Sequence, residues 1–317
     1  MEQHFPLILV IGSVNIDITA RGAHLPAPGE TVHAQSYTIG LGGKGANQAA
    51  AAARLGTGAH HRVAFAGRTG TDDFAKQARS YLTAFDLDLT ALASDKQHPT
   101  GLALIGVDQK GENSITVIGG ANMALDHTDV DRLQPMLEQA RVVLLQLEIP
   151  LDVVEYAARC ARASGCKIIL DPAPAPSRPL PSSLLSLVDV LTPNETETQA
   201  LTGLYPQDEA TAEQASQELM RQGAQAVTIK MGGQGVWWQT PMAGGFVPAF
   251  AVSAIDTVAA GDCFNAGLAT GLIQERSLQD ATRLAAACGA LATTKEGAAE
   301  SAPEWEDVLR LMEKQNN

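Results

Sequence analysis

Short runs of apolar residues alternate along the chain with longer stretches in which apolar positions recur every three to four residues. Leu7 to Ile11, Arg62 to Ala66, Val142 to Leu147, Lys167 to Leu170, Val188 to Leu191 and Ala226 to Met231 predict buried strands. Between them, helical periodicity predicts helices over Gly45 to Leu55, Asp72 to Phe85, Thr128 to Gln139, Leu151 to Ser164, Glu195 to Leu201 and Glu209 to Arg221. Strands that are apolar on both faces need helices above and below. The expectation is therefore an α/β fold, with a central, mostly parallel sheet flanked by helices.

Two regions break this rhythm. Ile16 to Tyr37 and Thr100 to Ile118 alternate polar and apolar residues with turn signals and no helix between, and Gly101 to Val107 followed by Asn113 to Ile118 reads as a hairpin. They predict a small β-sheet standing off the main body, with a substrate lid as its natural use. From Val258 onward three helices are expected, Ala260 to Gln274, Leu278 to Thr294 and Pro303 to Lys314. The whole of 1–317 reads as one domain with the lid strands drawn from about 16–37 and 100–118.

Composition narrows the function classes. A net charge of −13 argues against nucleic-acid and anionic-membrane surfaces, and favours a small-molecule partner. The four cysteines, Cys160, Cys166, Cys263 and Cys288, show no CxxC spacing and read as reduced, structural thiols. Met1 to Pro6 lacks a basic leader region, and Leu7 to Ile11 is too short to span a membrane, which predicts a cytoplasmic protein. His60-His61 reads as a surface turn, and no HExxH or Cys/His cluster suggests a transition metal.

Five polar or glycine-rich segments interrupt the apolar pattern. Gly40-Leu-Gly-Gly-Lys-Gly-Ala-Asn-Gln-Ala49 matches a dinucleotide fingerprint but is not followed by a strand ending in an acidic residue, and it lacks the Ser or Thr that a Walker A loop places after Lys. What remains is flexible backbone approaching a ligand, with Lys44 and Asn47 as polar contacts, or a plain glycine-rich turn. Asp256-Thr-Val-Ala-Ala-Gly-Asp262-Cys-Phe-Asn-Ala-Gly267 leads from a loop into an apolar helix. Free N–H groups of Ala259, Ala260 and Gly261 would form an anion hole, and Asp262 would accept a proton from an attacking hydroxyl; alternatively Asp262 only stabilises the helix start. In Gly12-Ser-Val-Asn-Ile-Asp17, Asn15 and Asp17 share one strand face and suit a polyol, or simply face solvent. Thr192-Pro-Asn194-Glu-Thr-Glu197 and Lys230-Met-Gly-Gly-Gln-Gly235 lie at strand ends, where either a phosphate-side role or ordinary capping and turn formation explains them.

Taken in order, these segments resemble the ribokinase family of carbohydrate kinases over essentially the whole chain. Gly42-Gly-Lys-Gly-Ala-Asn-Gln48 is similar to its N-terminal signature, and Asp256 to Asp262 to its C-terminal one. The resemblance implies ATP-dependent phosphorylation of a sugar, ribose first, at O5. Asn15, Asp17, Gly43, Lys44, Gly45, Ala46, Asn47 and Glu148 would hold the sugar, and Asp262 would be the base. Asn194, Lys230, Met231, Gly232, Gly233, Gln234, Gly235, Gly261 and Ala286 would line the ATP site, with Glu197 placing Mg2+ through water. Asp256, Val258, Ala292, Lys295, Gly297 and Ser301 would form a site for K+, and the lid sheet would pair two subunits in a homodimer. Cys263 and Lys295 depart from the small hydroxyl residue and the Arg common there. Kinases of 2-deoxyribose, fructose or a nucleoside, and a sugar sensor without catalysis, are the alternative readings.

Overall fold

The computed structural model describes residues 5–315, so the expectation for the chain start at Met1 to His4 lies outside them. Its main sheet runs, edge to edge, through Gly244–Pro248, Gly235–Gln239, Val227–Lys230, Val190–Leu191, Lys167–Asp171, Ala140–Gln146, Leu7–Ile11, Arg62–Thr69 and Leu87–Asp88, with Leu92–Ser94 also paired to Arg62–Thr69. All pairings are parallel except the two that involve Gly235–Gln239. Because side chains alternate across a strand, Ile8 and Val10 join one core with Phe65, Leu144 and Ile169. Leu7, Leu9 and Ile11 join a second with Ala66, Leu145 and Leu170. Each layer of helices closes one of these cores, as the doubly apolar strands required.

The second sheet has four strands in the order Ser36–Gly42, Asn15–Arg21, Gly101–Val107 and Asn113–Ile118, and the expected hairpin is its outer antiparallel pair. Tyr37, Leu104, Ile115 and Val117 on this sheet are exposed apolar side chains.

Some elements depart from expectation. The helix expected over Thr128 to Gln139 forms as two short pieces, His127–Asp131 and Gln134–Leu137, because Pro135 has no N–H to continue the ladder. The strand expected over Val188 to Leu191 is confined to Val190–Leu191. The surface turn expected at His60-His61 holds for His60, which is exposed and caps the helix Lys44–Ala59 in the left-handed region, but not for His61, which is buried with its Nε2 3.0 Å from the carbonyl of Ala52 and is pulled down by burial to about 4. All four thiols are free, and those of Cys166, Cys263 and Cys288 are buried.

What places the site is the carboxyl edge of the sheet. Gln146, Asp171 and Lys230 end their strands there, Glu148 and Asn194 lie two or three residues beyond theirs, and Asn15 opens the lid sheet just after Leu7–Ile11. The helices Lys44–Ala59 and Ala260–Ile273 pack against each other and bring their first turns to the same edge.

Candidate active site

Glycine makes the approach of the first signature helix possible. A Cβ on Gly45 would fall 2.6 Å from the backbone of Gly12 and Ser13, one on Gly43 (φ 88°) 2.8 Å from the backbone of Val14 and Asn15, and one on Gly42 inside the carboxylate of Asp17. Gly45 and Ala46 are spent on this packing: the Ala46 N–H donates to the carbonyl of Ser13, and its methyl is core. Gly43, the residue capping this helix, offers no side chain, so the carboxylate of Glu148 serves instead. Its Oε2 accepts from the Lys44 N–H at 2.9 Å and from Ser13 Oγ at 2.5 Å.

Around this helix start lies a concentration of buried charge. Burial raises Asp17 to about 7, with the charges of Glu148, Asp262 and Glu300 adding to it. Its Oδ1 is buried without a hydrogen-bond partner, and so is Oδ1 of Asn47. Such orphaned acceptors each cost on the order of 1–3 kcal/mol unless a ligand's donor meets them. Burial opposes charge on Lys44, but Asp262, Asp171, Glu148 and Glu197 outweigh it and hold the ammonium above its ordinary value.

Asp262, in the first turn of Ala260–Ile273, is buried and raised to about 6 by burial, a shift that Lys44 opposes and Asp171 reinforces. Asn47 Nδ2 donates to its Oδ2 and Gln48 Nε2 to its Oδ1, both at 3.1 Å. Gln48 Nε2 also donates to Asp171 at 3.0 Å, Lys230 Nζ donates to the other oxygen of Asp171 at 3.1 Å, and Gln146 donates to Gln48 at 2.7 Å. Gln48, Gln146 and Asp171 are functional-looking residues that motif reading passed over. The signal for the latter two was a polar residue ending an otherwise apolar parallel strand, where open α/β sheets place their ligands.

Of the three N–H groups expected in the anion hole, that of Ala260 is committed to the Thr257 carbonyl at 3.3 Å, whereas those of Ala259 and Gly261, and also that of Asp262, meet no acceptor among the described residues. Ala259 (φ 57°) makes the turn that exposes them.

From Asp262 and Lys44 a cavity of about 810 Å³ extends along Asn194, Glu197, Lys230, Gly232, Gly233 and Gly235 to a wall of Phe250, Val252, Ala286, Gly289 and Thr293. Asn194 and Glu197 form a reciprocal capping box, so the bland reading holds for them while both still face the cavity. Burial raises Glu197, and Lys230 opposes the shift. Met231 and Gln234 do not line the cavity: strand alternation turns Met231 into the core, and the exposed Gln234 uses its backbone to pair with Met231 and Ala249.

Asp256 joins two loops, accepting from the N–H of Val258 at 3.0 Å and of Gly297 at 3.2 Å. Near them the Ala292 carbonyl accepts from the Lys295 N–H, the Lys295 side chain is exposed, and the buried Ser301 hydroxyl donates to Ala298 rather than to this group. Among the described residues no cluster of three or more His, Cys, Asp or Glu forms a metal site.

Comparison with known proteins agrees with this geometry. The profile of the pfkB family carbohydrate kinases matches residues 6–305. A ribokinase of Haemophilus influenzae is 40% identical over 306 residues, covering 96% of this chain and 98% of that protein. A deoxyribokinase of Salmonella typhimurium is 34% identical over 305 residues, with 96% and 98% covered. The structure of Arabidopsis thaliana ribokinase complexed with ribose and ATP superposes with a TM-score of 0.88 at 32% identity, covering 97% of this chain and 99% of that one.

Proposed function

The chain belongs to the pfkB family of carbohydrate kinases, and on that premise we propose that it transfers the γ-phosphoryl group of ATP to O5 of D-ribose, giving ribose 5-phosphate and ADP. The observation that carries this reading is the place of Asp262. It lies where the 810 Å³ cavity meets the cluster of Asn15, Asp17, Asn47 and Glu148, and it is held by two amide donors.

In the proposed reaction the sugar lies on the Asp17 side, offering hydroxyl donors to Oδ1 of Asp17 and Oδ1 of Asn47. Asp262 takes the proton of the primary hydroxyl as that oxygen attacks the γ-phosphorus, and the bond to the β-phosphate oxygen breaks. A value raised to about 6 leaves Asp262 ionised near neutral pH yet basic enough to accept the proton. The free N–H groups of Gly261 and Asp262, with Lys44, balance charge on the transferred group. Lys230, Asn194 and Gly232 to Gly235 hold the nucleotide, and Ala286 borders the base without a polar side chain. ATP supplies the phosphoryl group with Mg2+ neutralising its oxygens, and Glu197 fits a place next to a magnesium-bound water because its carboxylate faces the same cavity. K+ would be held between the loops joined by Asp256, with Lys295 contributing through its carbonyl alone.

Exposed apolar side chains on both faces of the lid sheet, Tyr37 and Leu104 on one and Ile115 and Val117 on the other, support a homodimer, the free thiols suit the cytoplasm, and no helix among the described residues is long and apolar enough to cross a membrane. We read 1–317 as one kinase domain. The test is to incubate the protein with ATP, Mg2+ and ribose, follow ADP release, and identify the product by phosphorus NMR. A phosphomonoester at O5 is expected; no sugar-dependent ADP release from ribose, 2-deoxyribose or fructose would overturn the proposal.

A further inference from the structure

The face that would meet the sugar carries one side chain whose polarity the fold dictates from outside. Asn122 is buried, in the turn that follows the lid hairpin. Its Oδ1 accepts the N–H of Val14 at 2.9 Å and its Nδ2 donates to the Val14 carbonyl at 3.0 Å. This double bond to the main chain leaves no freedom to exchange the two ends of the amide: a backbone N–H must meet the oxygen and a backbone carbonyl the nitrogen. The second hydrogen of Nδ2 therefore points at the neighbouring side chain, where it donates to Oδ1 of Asn15 at 2.8 Å.

Asn15 is thereby fixed in turn. With its oxygen taken, its Nδ2 is left as a donor that meets no acceptor among the described residues, while Asp17, two residues along the same strand face, presents an unpartnered acceptor. The cluster exists only because residue 101 is glycine. A Cβ there would lie 2.1 Å from Oδ1 of Asn15 and 2.3 Å from Nδ2 of Asn122.

We infer that Asn122 is a positioning residue that sets Asn15 as a hydrogen-bond donor, so that the site offers a donor and an acceptor side by side to neighbouring secondary hydroxyls of the sugar. The inference rests on the sugar-kinase reading given above. It assigns part of the discrimination among sugars to a residue that touches none of them.

A double-mutant cycle tests it. Asn122→Asp keeps the size of the side chain and can still accept from the Val14 N–H, but when ionised it can donate neither to Asn15 nor to the Val14 carbonyl, and the cycle with Asn15 isolates the first loss. Lost polarity of one buried hydrogen-bonding group should raise KM for ribose about ten- to a hundredfold and narrow the preference for ribose over 2-deoxyribose, with kcat and the KM for ATP within about threefold. In an Asn15→Ala background the same substitution should change the ribose KM by less than about threefold. An equal loss in both backgrounds, or a parallel fall in kcat and ATP binding, would overturn the inference, since a charge or folding effect would not need Asn15. Should Asn122→Asp not fold, Gly101→Ala breaks the same contact and must give the same split between KM and kcat. Wild-type turnover of ribose tests the functional reading separately; if another sugar proves the better substrate, the cycle is run on that sugar with the same two outcomes.

Discussion

The two ends of the site are made from different parts of the polypeptide. The sugar end is made of side chains: Asn15, Asp17, Lys44, Asn47, Glu148 and Asp262 crowd four charges, that of Asp262 buried and the others half-buried, into one space and leave acceptors unpaired. The nucleotide end is made largely of main chain and small residues, with Gly232, Gly233, Gly235, Ala259, Gly261, Ala286 and Gly289 along the cavity, and with Asp171, Asn194, Glu195, Glu197, Lys230, Thr257 and Thr293 supplying polar side chains. One end carries an electrostatic cost before any ligand arrives. The other carries less, because Lys230 stands between the buried Asp171 and Glu197 and offsets part of their burial. Buried like charges destabilise the empty protein and are relieved by the right ligand, whereas a backbone cradle is indifferent to its own occupancy. Substitutions at the sugar end should therefore move activity and stability in opposite directions.

The largest effect is expected at the junction of the two ends. Asp262→Ala should lower kcat by about 10²–10⁴-fold, the usual reach of general-base catalysis, while circular dichroism stays unchanged. A folded variant that loses less than about tenfold would remove Asp262 from that role.

Asp17→Asn should separate activity from stability. Loss of a hydrogen bond to a charged acceptor predicts about ten- to a hundredfold lower kcat/KM for ribose. The stability effect has the opposite sign. Because the folded protein raises Asp17 to about 7 from 3.8, the wild type loses stability as pH rises from about 4 through 7, by an amount on the order of a few kcal/mol. The variant should thus melt higher than wild type at pH 8, with the gap closing near pH 4. A lower melting temperature at pH 8 would refute the electrostatic cost assigned to this end.

A smaller effect is expected from pH alone. With Asp262 raised to about 6 and Asp17 to about 7, kcat/KM for ribose should fall on the acid side with apparent values belonging to the pair, and kcat about tenfold per unit below about pH 6. A flat profile between pH 5 and 8 would contradict both. The smallest effect belongs to the nucleotide side, where replacing sodium by potassium at matched ionic strength should raise kcat severalfold by fixing the loops that Asp256 joins; equal rates in both salts would remove the cation site.

Sequence made much of this architecture legible, for physical reasons that also mark its limits. Doubly apolar runs such as Val142 to Leu147 fix their own environment, and the glycines around Lys44 and Asp262 declare close backbone approach. Asp171, a polar strand end, and Gln48, the last residue of the first signature, were in view without their partners. Their roles come from pairings across 123 and 214 positions of chain, which no local spacing encodes. Met231 and Gln234 lie off the cavity lining for the converse reason, since a motif counts residues without regard to where their side chains point: Met231 turns into the core and Gln234 sits in the exposed turn Gly232–Gln234. The anion hole loses the N–H of Ala260 because the turn at Ala259 hands it to the Thr257 carbonyl.

The most direct measurement is kcat/KM for ribose and 2-deoxyribose in one buffer with saturating ATP, Mg2+ and K+. An unpartnered carboxylate oxygen on Asp17 needs a hydroxyl donor, and removing O2 should cost about ten- to a hundredfold, as for other hydrogen bonds to buried charged groups. A ribose preference of that size is the predicted result; equal or better use of 2-deoxyribose would contradict it.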